Sequence, residues 1–197
     1  MVLYLSVIFF SMMIVSVLNI LFCLPQLNVP WWTVFACVSI VVAFQFAVDG
    51  ICAIIVKVSP ESWYNKNKKI FQVSASEIRF LNFLKVKKWK DFVWELGGLG
   101  GFRKNKIQEP QNQDYVERFL IESNKGVVTH LFGIFAGFAA IWVFPFRFAL
   151  TVCLPIALVN MVLNIMPIMV LRYNIPKLLA LQKFLEKREQ REQNVLV

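Results

Sequence analysis

The amino-acid sequence predicts an all-α integral membrane protein with about four transmembrane helices, and its composition and charge pattern support this. Of its 197 residues, 58% are hydrophobic and only 17% are charged, whereas charged residues make up roughly 25% of an ordinary soluble domain. The charges are also segregated, because Asp49 is the only charged residue in 1–56 and Arg147 the only one in 126–171. The composition excludes disordered, collagen-like and disulfide-scaffold proteins. Such proteins have far fewer hydrophobic residues than this chain, or far more glycine or cysteine.

Four apolar stretches are long enough to be considered as spans, and they lie at 2–24, 31–56, 127–144 and 148–171. A helix needs about 20 apolar residues to cross a hydrocarbon core of about 30 Å. The first two stretches meet this length easily. The third is shorter, and the fourth contains Pro155 and Pro167. We therefore keep an alternative in which the last two stretches form a re-entrant pair.

The chain divides at these stretches into four parts. They are a transmembrane hairpin, a basic and partly interfacial cytoplasmic segment, a second transmembrane hairpin and a C-terminal cytoplasmic helix, at 1–56, 57–126, 127–171 and 172–197. The last helix is predicted to begin near Asn174, which can cap it, with Pro176 in its first turn. Leu178, Leu181 and Leu185 would then share one face.

The distribution of basic residues predicts the orientation. The chain has 21 Lys and Arg against 12 Asp and Glu, a formal net charge of +9, and nearly all of these lie in 57–126 and 172–197. Cytoplasmic segments of membrane proteins carry the excess of Lys and Arg. We therefore expect a multi-pass protein of the cell membrane with both termini cytoplasmic. Its basic segments would contact anionic lipid headgroups rather than nucleic acid.

The central segment carries its own pattern of aromatic and basic residues. Residues 77–94 mix phenylalanines and tryptophans with lysines, which suits the headgroup layer. We expect a helix there, although 84–87 alternates as a strand does. The following glycines, 97–101, with Arg103 and Lys104, match no nucleotide-binding fingerprint and favour a flexible turn.

Polar residues within the spans are the first candidates for a site, because they are costly in lipid. Asp49 lies about two turns from the cytoplasmic end of the second span. His130, the only histidine, lies about one turn into the third, with Glu122 two turns before it. The predicted topology brings these three residues and Arg172 to the same membrane depth.

The fourth span carries two amides, and the third carries two glycines. Asn160 and Asn164 are one turn apart, and their more economical interpretation is hydrogen bonding between helices. Gly133 and Gly137 are spaced for close helix contact.

The residue types point to proton transfer rather than to metal chemistry. One histidine and no Cys-x-x-Cys pair give no basis for a transition-metal site, and no bound cofactor is expected. No nucleophile elbow is present. The acyltransferase motif of a histidine followed five residues later by aspartate fails at Phe135. Catalysis would use His130 as a base that activates a hydroxyl, oriented by Glu122 or Asp49.

Three stretches of the sequence, at 86–91, 121–130 and 164–177, resemble one bacterial family. They contain a Trp-Lys segment, a Glu…His segment and a late Asn…Arg-Tyr-Asn segment. Their order and spacing resemble the glycosyl-4,4'-diaponeurosporenoate acyltransferase family, small membrane proteins. The resemblance covers about 77–185 and implies acylation of a sugar hydroxyl on a glycosylated carotenoid.

The resemblance also implies site residues. The candidate catalytic residues are Glu122, His130, Asn164 and Arg172. The candidate substrate-binding residues are Trp89, Tyr173 and Asn174, to which we add Asp49 for its membrane depth and Lys90 for its charge.

The first functional hypothesis is a membrane acyltransferase. It would move a fatty acyl group from a thioester co-substrate, such as acyl-coenzyme A, to a hydroxyl of a lipid or glycolipid acceptor. His130 would deprotonate the hydroxyl and Glu122 would hold the imidazole, while Arg172 and Asn164 would stabilise the oxyanion. Basic residues such as Lys90 would attract the acidic donor.

The second hypothesis is a non-enzymatic membrane subunit or scaffold. It would bind a partner protein through Gly133, Gly137 and the C-terminal helix. The oligomeric state stays open in both hypotheses, and a homo-oligomer is one arrangement compatible with them.

Overall fold

A computed structural model describes residues 2–27, 30–65, 67–93, 107–145 and 148–195, and no β-strand occurs among them. The α-helices are α1 Val2–Phe22, α2 Leu24–Leu27, α3 Trp31–Val58, α4 Ala75–Phe83, α5 Val86–Trp89, α6 Gln113–Gly137, α7 Ala140–Val143 and α8 Leu154–Val195. Short 3-10 helices lie at Glu61–Tyr64, Lys69–Phe71 and Lys90–Phe92, and a π-helix precedes α8 at Ala149–Cys153.

In the part of the chain that the structure describes, four helical segments are long and apolar enough to cross a membrane. They are Tyr4–Phe22, Trp31–Val58, Gln113–Val143 and Ala149–Asn194. The prediction of an all-α membrane protein with four spans is confirmed. Because the last two segments are long enough to cross, their length gives no reason to prefer a re-entrant pair.

The helix that carries the third apolar stretch begins before that stretch, at Gln113 instead of residue 127. Its start is set by Asn112, whose Oδ1 accepts from the backbone N–H of Tyr115 at 3.1 Å. Asp114 lies in the first turn, where a negative charge is favoured. Capping chemistry therefore sets this boundary, and the hydropathy marks only the apolar half of the helix.

The predicted break before the C-terminal helix is wrong, because α8 continues through Pro167 and Pro176. A proline lacks the N–H that would bond the carbonyl four residues earlier. Hydrogen bonds from other side chains satisfy two such carbonyls. The hydroxyl of Tyr4 donates to Leu163 O at 2.8 Å, four residues before Pro167. Asn19 Nδ2 likewise bonds the carbonyl four residues before Pro155, at 2.8 Å.

The described chain forms two compact units, and the first comprises Met1–Val58 and Thr129–Met166. Its apolar core is built mainly of small and branched side chains, which allow helices to approach closely. Its members are Val15, Val34, Val38, Val41, Ala140, Val152, Cys153 and Ile156.

The second unit comprises Ser59–Val128 and Pro167–Val197. In place of one predicted helix at 77–94, the structure has the two short helices α4 and α5 followed by a 3-10 turn, and Trp94 lies outside the described residues. The strand-like alternation at 84–87 reflects a corner at Lys85, whose φ of 53° lies in the left-handed region. The corner ends one helix and starts the next, so that Val86 points inward and is fully buried. The glycines at 97–101, with Arg103 and Lys104, lie outside the described residues, and the four-part division of the chain stays a prediction.

Candidate active site

Polar side chains from α3, α6 and α8 come together inside the first unit. We call this group the histidine–amide cluster, and its members are Gln45, Asp49, His130, Asn160 and Asn164. Gln45 and Asn164 are buried and the others are half-buried. Such residues within spanning helices mark either a functional site or a helix contact.

Hydrogen bonds join three of these side chains in series. His130 Nδ1 lies 2.9 Å from Asn164 Oδ1. Asn164 Nδ2 donates to both the backbone oxygen and the side-chain Oδ1 of Asn160, each at 3.0 Å. Asn160 Nδ2 in turn donates to the carbonyl oxygen of Gly133 at 3.3 Å.

The backbone carbonyls of Asn160 and Gly133 determine which atom donates in every hydrogen bond of this series. A carbonyl oxygen only accepts, so the amide nitrogens of Asn160 and Asn164 must face the carbonyls. Asn164 Oδ1 therefore faces His130 and requires a hydrogen on Nδ1. A neutral imidazole carries one N–H, so Nε2 holds the lone pair. This is the form in which histidine acts as a general base.

Gly133 allows this contact because it has no side chain. A Cβ at Gly133 would lie 2.6 Å from Asp49 Oδ1 and 3.0 Å from Asn164 Oδ1. Real Cβ atoms essentially never come within 3.0 Å of a neighbouring atom. The glycine therefore lets a carboxylate and an amide approach the backbone of α6.

Gly137 has the same role one turn later, at the end of α6. A Cβ there would lie 2.5 Å from Asn160 Nδ2 and 2.8 Å from Gln45 Oε1. Gln45 Nε2 donates to Gly137 O at 2.6 Å and so satisfies a carbonyl at the helix end. The close contact predicted at Gly133 and Gly137 is thus made within the chain. The scaffold hypothesis therefore loses the two glycines as a partner surface and keeps only the C-terminal helix.

Two oxygens of α3 within the cluster are buried acceptors. Among the residues that the structure describes, Asp49 Oδ1 and Gln45 Oε1 have no hydrogen-bond partner. They come from side chains one turn apart. Buried acceptors are normally satisfied, so these two oxygens mark a place in the cluster where hydrogen-bonding capacity is unused.

Arg172 organises a contact within the second unit. Its Nε and Nη2 bond the two carboxylate oxygens of Glu77, each at 2.6 Å. Nη1 donates to Ile70 O at 2.9 Å, and Nη2 donates to Gln72 O at 3.0 Å. Four of the five guanidinium N–H groups are therefore used, which ties α8 to α4 and the preceding 3-10 turn.

Glu122 also lies in the second unit, beside a buried lysine. Its Oε1 is 3.5 Å from Lys125 Nζ, which is 3.7 Å from Glu61 Oε1. The same ammonium lies over the ring of Tyr64, 5.8 Å from the ring centre. The assignment of Glu122 as the group that holds His130 stays a prediction.

The remaining candidate residues are in the second unit as well. Trp89 is half-buried, and its Nε1 donates to Leu84 O at 3.0 Å. Lys90 Nζ lies 4.0 Å from the carboxylate of Asp91. The Tyr173 ring has the ammonium of Lys177 3.8 Å from its centre, and Asn174 is half-buried.

The structure therefore brings Asp49, His130 and Asn164 together in the first unit. Whether the six candidates of the second unit share a site with them stays a prediction. In the described ranges, no three His, Cys, Asp or Glu side chains are grouped so that they could hold a metal ion.

Comparison with protein families identifies a match. The family model of glycosyl-4,4'-diaponeurosporenoate acyltransferase matches residues 60–184, which is more than half of the chain. No curated protein and no solved structure matches. The matched range includes eight of the nine candidate site residues and excludes only Asp49. The chain belongs to the glycosyl-4,4'-diaponeurosporenoate acyltransferase family.

Proposed function

We propose that the protein transfers a fatty acyl group from a thioester, such as acyl-coenzyme A, to a hydroxyl of a glycolipid-like acceptor. A glycosylated carotenoid is the acceptor class that the family description indicates. The observation that carries this proposal is the series from His130 through Asn164 and Asn160 to Gly133, since it leaves the lone pair on Nε2.

The proposed reaction is one addition and one elimination. Nε2 of His130 takes the hydroxyl proton while the oxygen attacks the thioester carbonyl carbon and forms the new C–O bond. The C–S bond then breaks, and the departing thiolate receives the proton from the imidazolium. Asn164 Oδ1 stabilises the imidazolium through Nδ1–H, so the charge that develops there has a partner already in position.

Asp49 is proposed to bind the acceptor. Its Oδ1 is a buried acceptor within the histidine–amide cluster, where it can receive a hydrogen bond from a second hydroxyl. A sugar headgroup presents several hydroxyls, which suits a site with carboxylate and amide oxygens.

The oxyanion role first expected for Arg172 and Asn164 has less support. Asn164 Nδ2 is directed to Asn160, and the Arg172 guanidinium is used on Glu77 and two carbonyls. We therefore propose that Arg172 is a positioning residue.

The donor is proposed to approach from the cytoplasm, with both termini on that side of the cell membrane. Lys90, which follows α5, would attract its acidic part. Trp89, Tyr173 and Asn174 would contact the donor or acceptor. The Nε1 of Trp89 is used on a backbone carbonyl, so Trp89 would offer its ring face.

Comparative lipid mass spectrometry tests this proposal. Membranes with and without the protein are supplied with isotope-labelled acyl-coenzyme A and a glycolipid fraction. The proposal expects a labelled ester that requires the protein, and the mass of this ester identifies the acceptor. Identical lipid profiles in the two membranes would contradict transferase activity on these substrates.

A further inference from the structure

The two short helices of the second unit have a clear inner side. Leu81 of α4, Val86 of α5 and Val93 just after them are 3%, 0% and 3% exposed. Buried side chains therefore anchor the segment, and its folded conformation determines which side chains are exposed.

The outer side of the same segment is aromatic. Phe80, Phe83 and Phe92 are 54%, 79% and 71% exposed. Phe80 and Phe83 are three residues apart in α4 and so share a face. An outer helix face in water is normally polar, and this one carries two phenylalanine rings.

Basic side chains accompany these rings. Arg79, Lys87 and Lys88 are exposed. Among the acidic residues that the structure describes in this segment, Glu77 is paired with Arg172, and the exposed Asp91 lies 4.0 Å from Lys90. The exposed surface is therefore both aromatic and positively charged.

We propose that an anionic membrane leaflet binds this surface, the aromatic–basic patch of Arg79, Phe80, Phe83, Lys87, Lys88 and Phe92. The rings enter the boundary between headgroups and acyl chains, and the cations contact lipid phosphates. Exposed rings beside Lys and Arg are typical of interfacial segments, and each basic residue near an anionic leaflet strengthens binding. This inference does not depend on the catalytic proposal.

Photolabelling of the full-length protein in nanodiscs tests the proposal. One set of nanodiscs contains phosphatidylcholine alone, and the other contains about a third phosphatidylglycerol. Each carries a trace of a diazirine lipid of the same headgroup, with the diazirine near the ester end of the acyl chain. The expected result is labelling of the peptide that spans 79–92, at least about tenfold stronger in the anionic nanodiscs.

Charge reversal identifies the groups responsible. The double variant Lys87→Glu, Lys88→Glu should lose the preference for anionic lipid, and added salt should weaken it in the wild type. The matched control is Lys183→Glu, Lys187→Glu, since both lysines are exposed on α8 and outside the patch. Equal effects of the two double variants would overturn the proposal.

Two further outcomes would overturn it as well. Absence of lipid adducts on 79–92, with adducts present on the spanning helices, would show that the patch lies away from the bilayer. Cross-links from 79–92 to a second copy of the chain, formed by an added amine-reactive cross-linker while lipid adducts are absent, would show that protein covers it.

Discussion

His130 and Asn164 are 34 positions apart in the sequence, yet Nδ1 of the imidazole and Oδ1 of the amide are 2.9 Å apart. Asn164 is held on its other side by the backbone oxygen of Asn160, so its orientation does not depend on the histidine. The amide therefore sets the protonation pattern of the ring. Neutral histidine has two tautomers, and the hydrogen bond that one ring nitrogen makes selects between them.

Replacement of His130 by alanine should abolish transfer while the protein stays folded. Loss of a general base lowers the rate by about 10²- to 10⁴-fold. The measurement is the rate of labelled ester formation in reconstituted membranes, with thermal unfolding of the purified protein as the control for folding. Full activity in His130→Ala would remove the base assignment.

Alanine substitutions of Asn164 and Asn160 should slow transfer to different extents. Asn164→Ala removes the acceptor for Nδ1–H and should slow transfer on the order of 10²-fold. Asn160→Ala should cost less, because the backbone oxygen of Asn160 still orients Asn164. The pH profile of the rate separates orientation from packing, because Asn164→Ala removes the acceptor for Nδ1–H and should shift its acidic limb, whereas Asn160→Ala should not. A larger loss in Asn160→Ala than in Asn164→Ala would contradict the proposed series.

The two glycines of α6 should be sensitive to a single methyl group. Gly133→Ala places a Cβ 2.6 Å from Asp49 Oδ1, and overpacking of this kind costs about 1–3 kcal/mol. Gly50→Ala is the matched control, because nothing lies within 4 Å of a Cβ there. It should be neutral or stabilise by up to about 1 kcal/mol. Thermal unfolding in detergent measures both, and equal effects would refute the close approach at Gly133.

Arg172→Lys should destabilise the protein. Lysine lacks the planar fork that bonds both oxygens of Glu77 and two carbonyls. We expect a loss of about 2 kcal/mol in stability, and a double-mutant cycle with Glu77→Gln should show coupling between the two residues. A large fall in kcat with unchanged stability would instead support the oxyanion role.

The Tyr4 hydroxyl should stabilise the fold because it bonds a carbonyl that Pro167 leaves without a helical N–H. Tyr4→Phe removes the donor to Leu163 O and should cost about 1 kcal/mol. In a Pro167→Ala background the helix regains an N–H for that carbonyl, so the same change should cost less. Equal costs in the two backgrounds would show that the proline is not the reason for this bond.

Hydropathy predicted the first two spans to within two residues, because apolar runs and interfacial tryptophans mark their ends. It missed the start of α6, where Asn112 and not hydrophobicity sets the boundary. It also placed a helix end near residue 171, whereas α8 continues through Pro167 and Pro176. A proline within a span is tolerated where another side chain bonds the freed carbonyl, as Tyr4 does for Leu163 O. In lipid an unsatisfied carbonyl is costly unless a neighbouring helix supplies a donor.

Part of the candidate site could be predicted from the sequence. Asp49, His130 and Asn164 were identified as polar residues at membrane depth, but Asn160 was assigned to helix contact alone. Gln45 was missed, although its position one turn before Asp49 in an apolar span was a usable signal. The pairing of Arg172 with Glu77 was not accessible, because nothing in the sequence relates positions 95 residues apart.

The nitrogen-15 NMR spectrum of the imidazole tests the central claim most directly. His130 is the only histidine, so labelled histidine gives signals from one ring. At about pH 8, above the ordinary histidine pKa of ~6.5, the account predicts a protonated Nδ1 and an unprotonated Nε2. Asn164→Ala should change that pattern. A ring protonated at Nε2 in the wild type would contradict the account, because it could not accept a proton from the acceptor hydroxyl there.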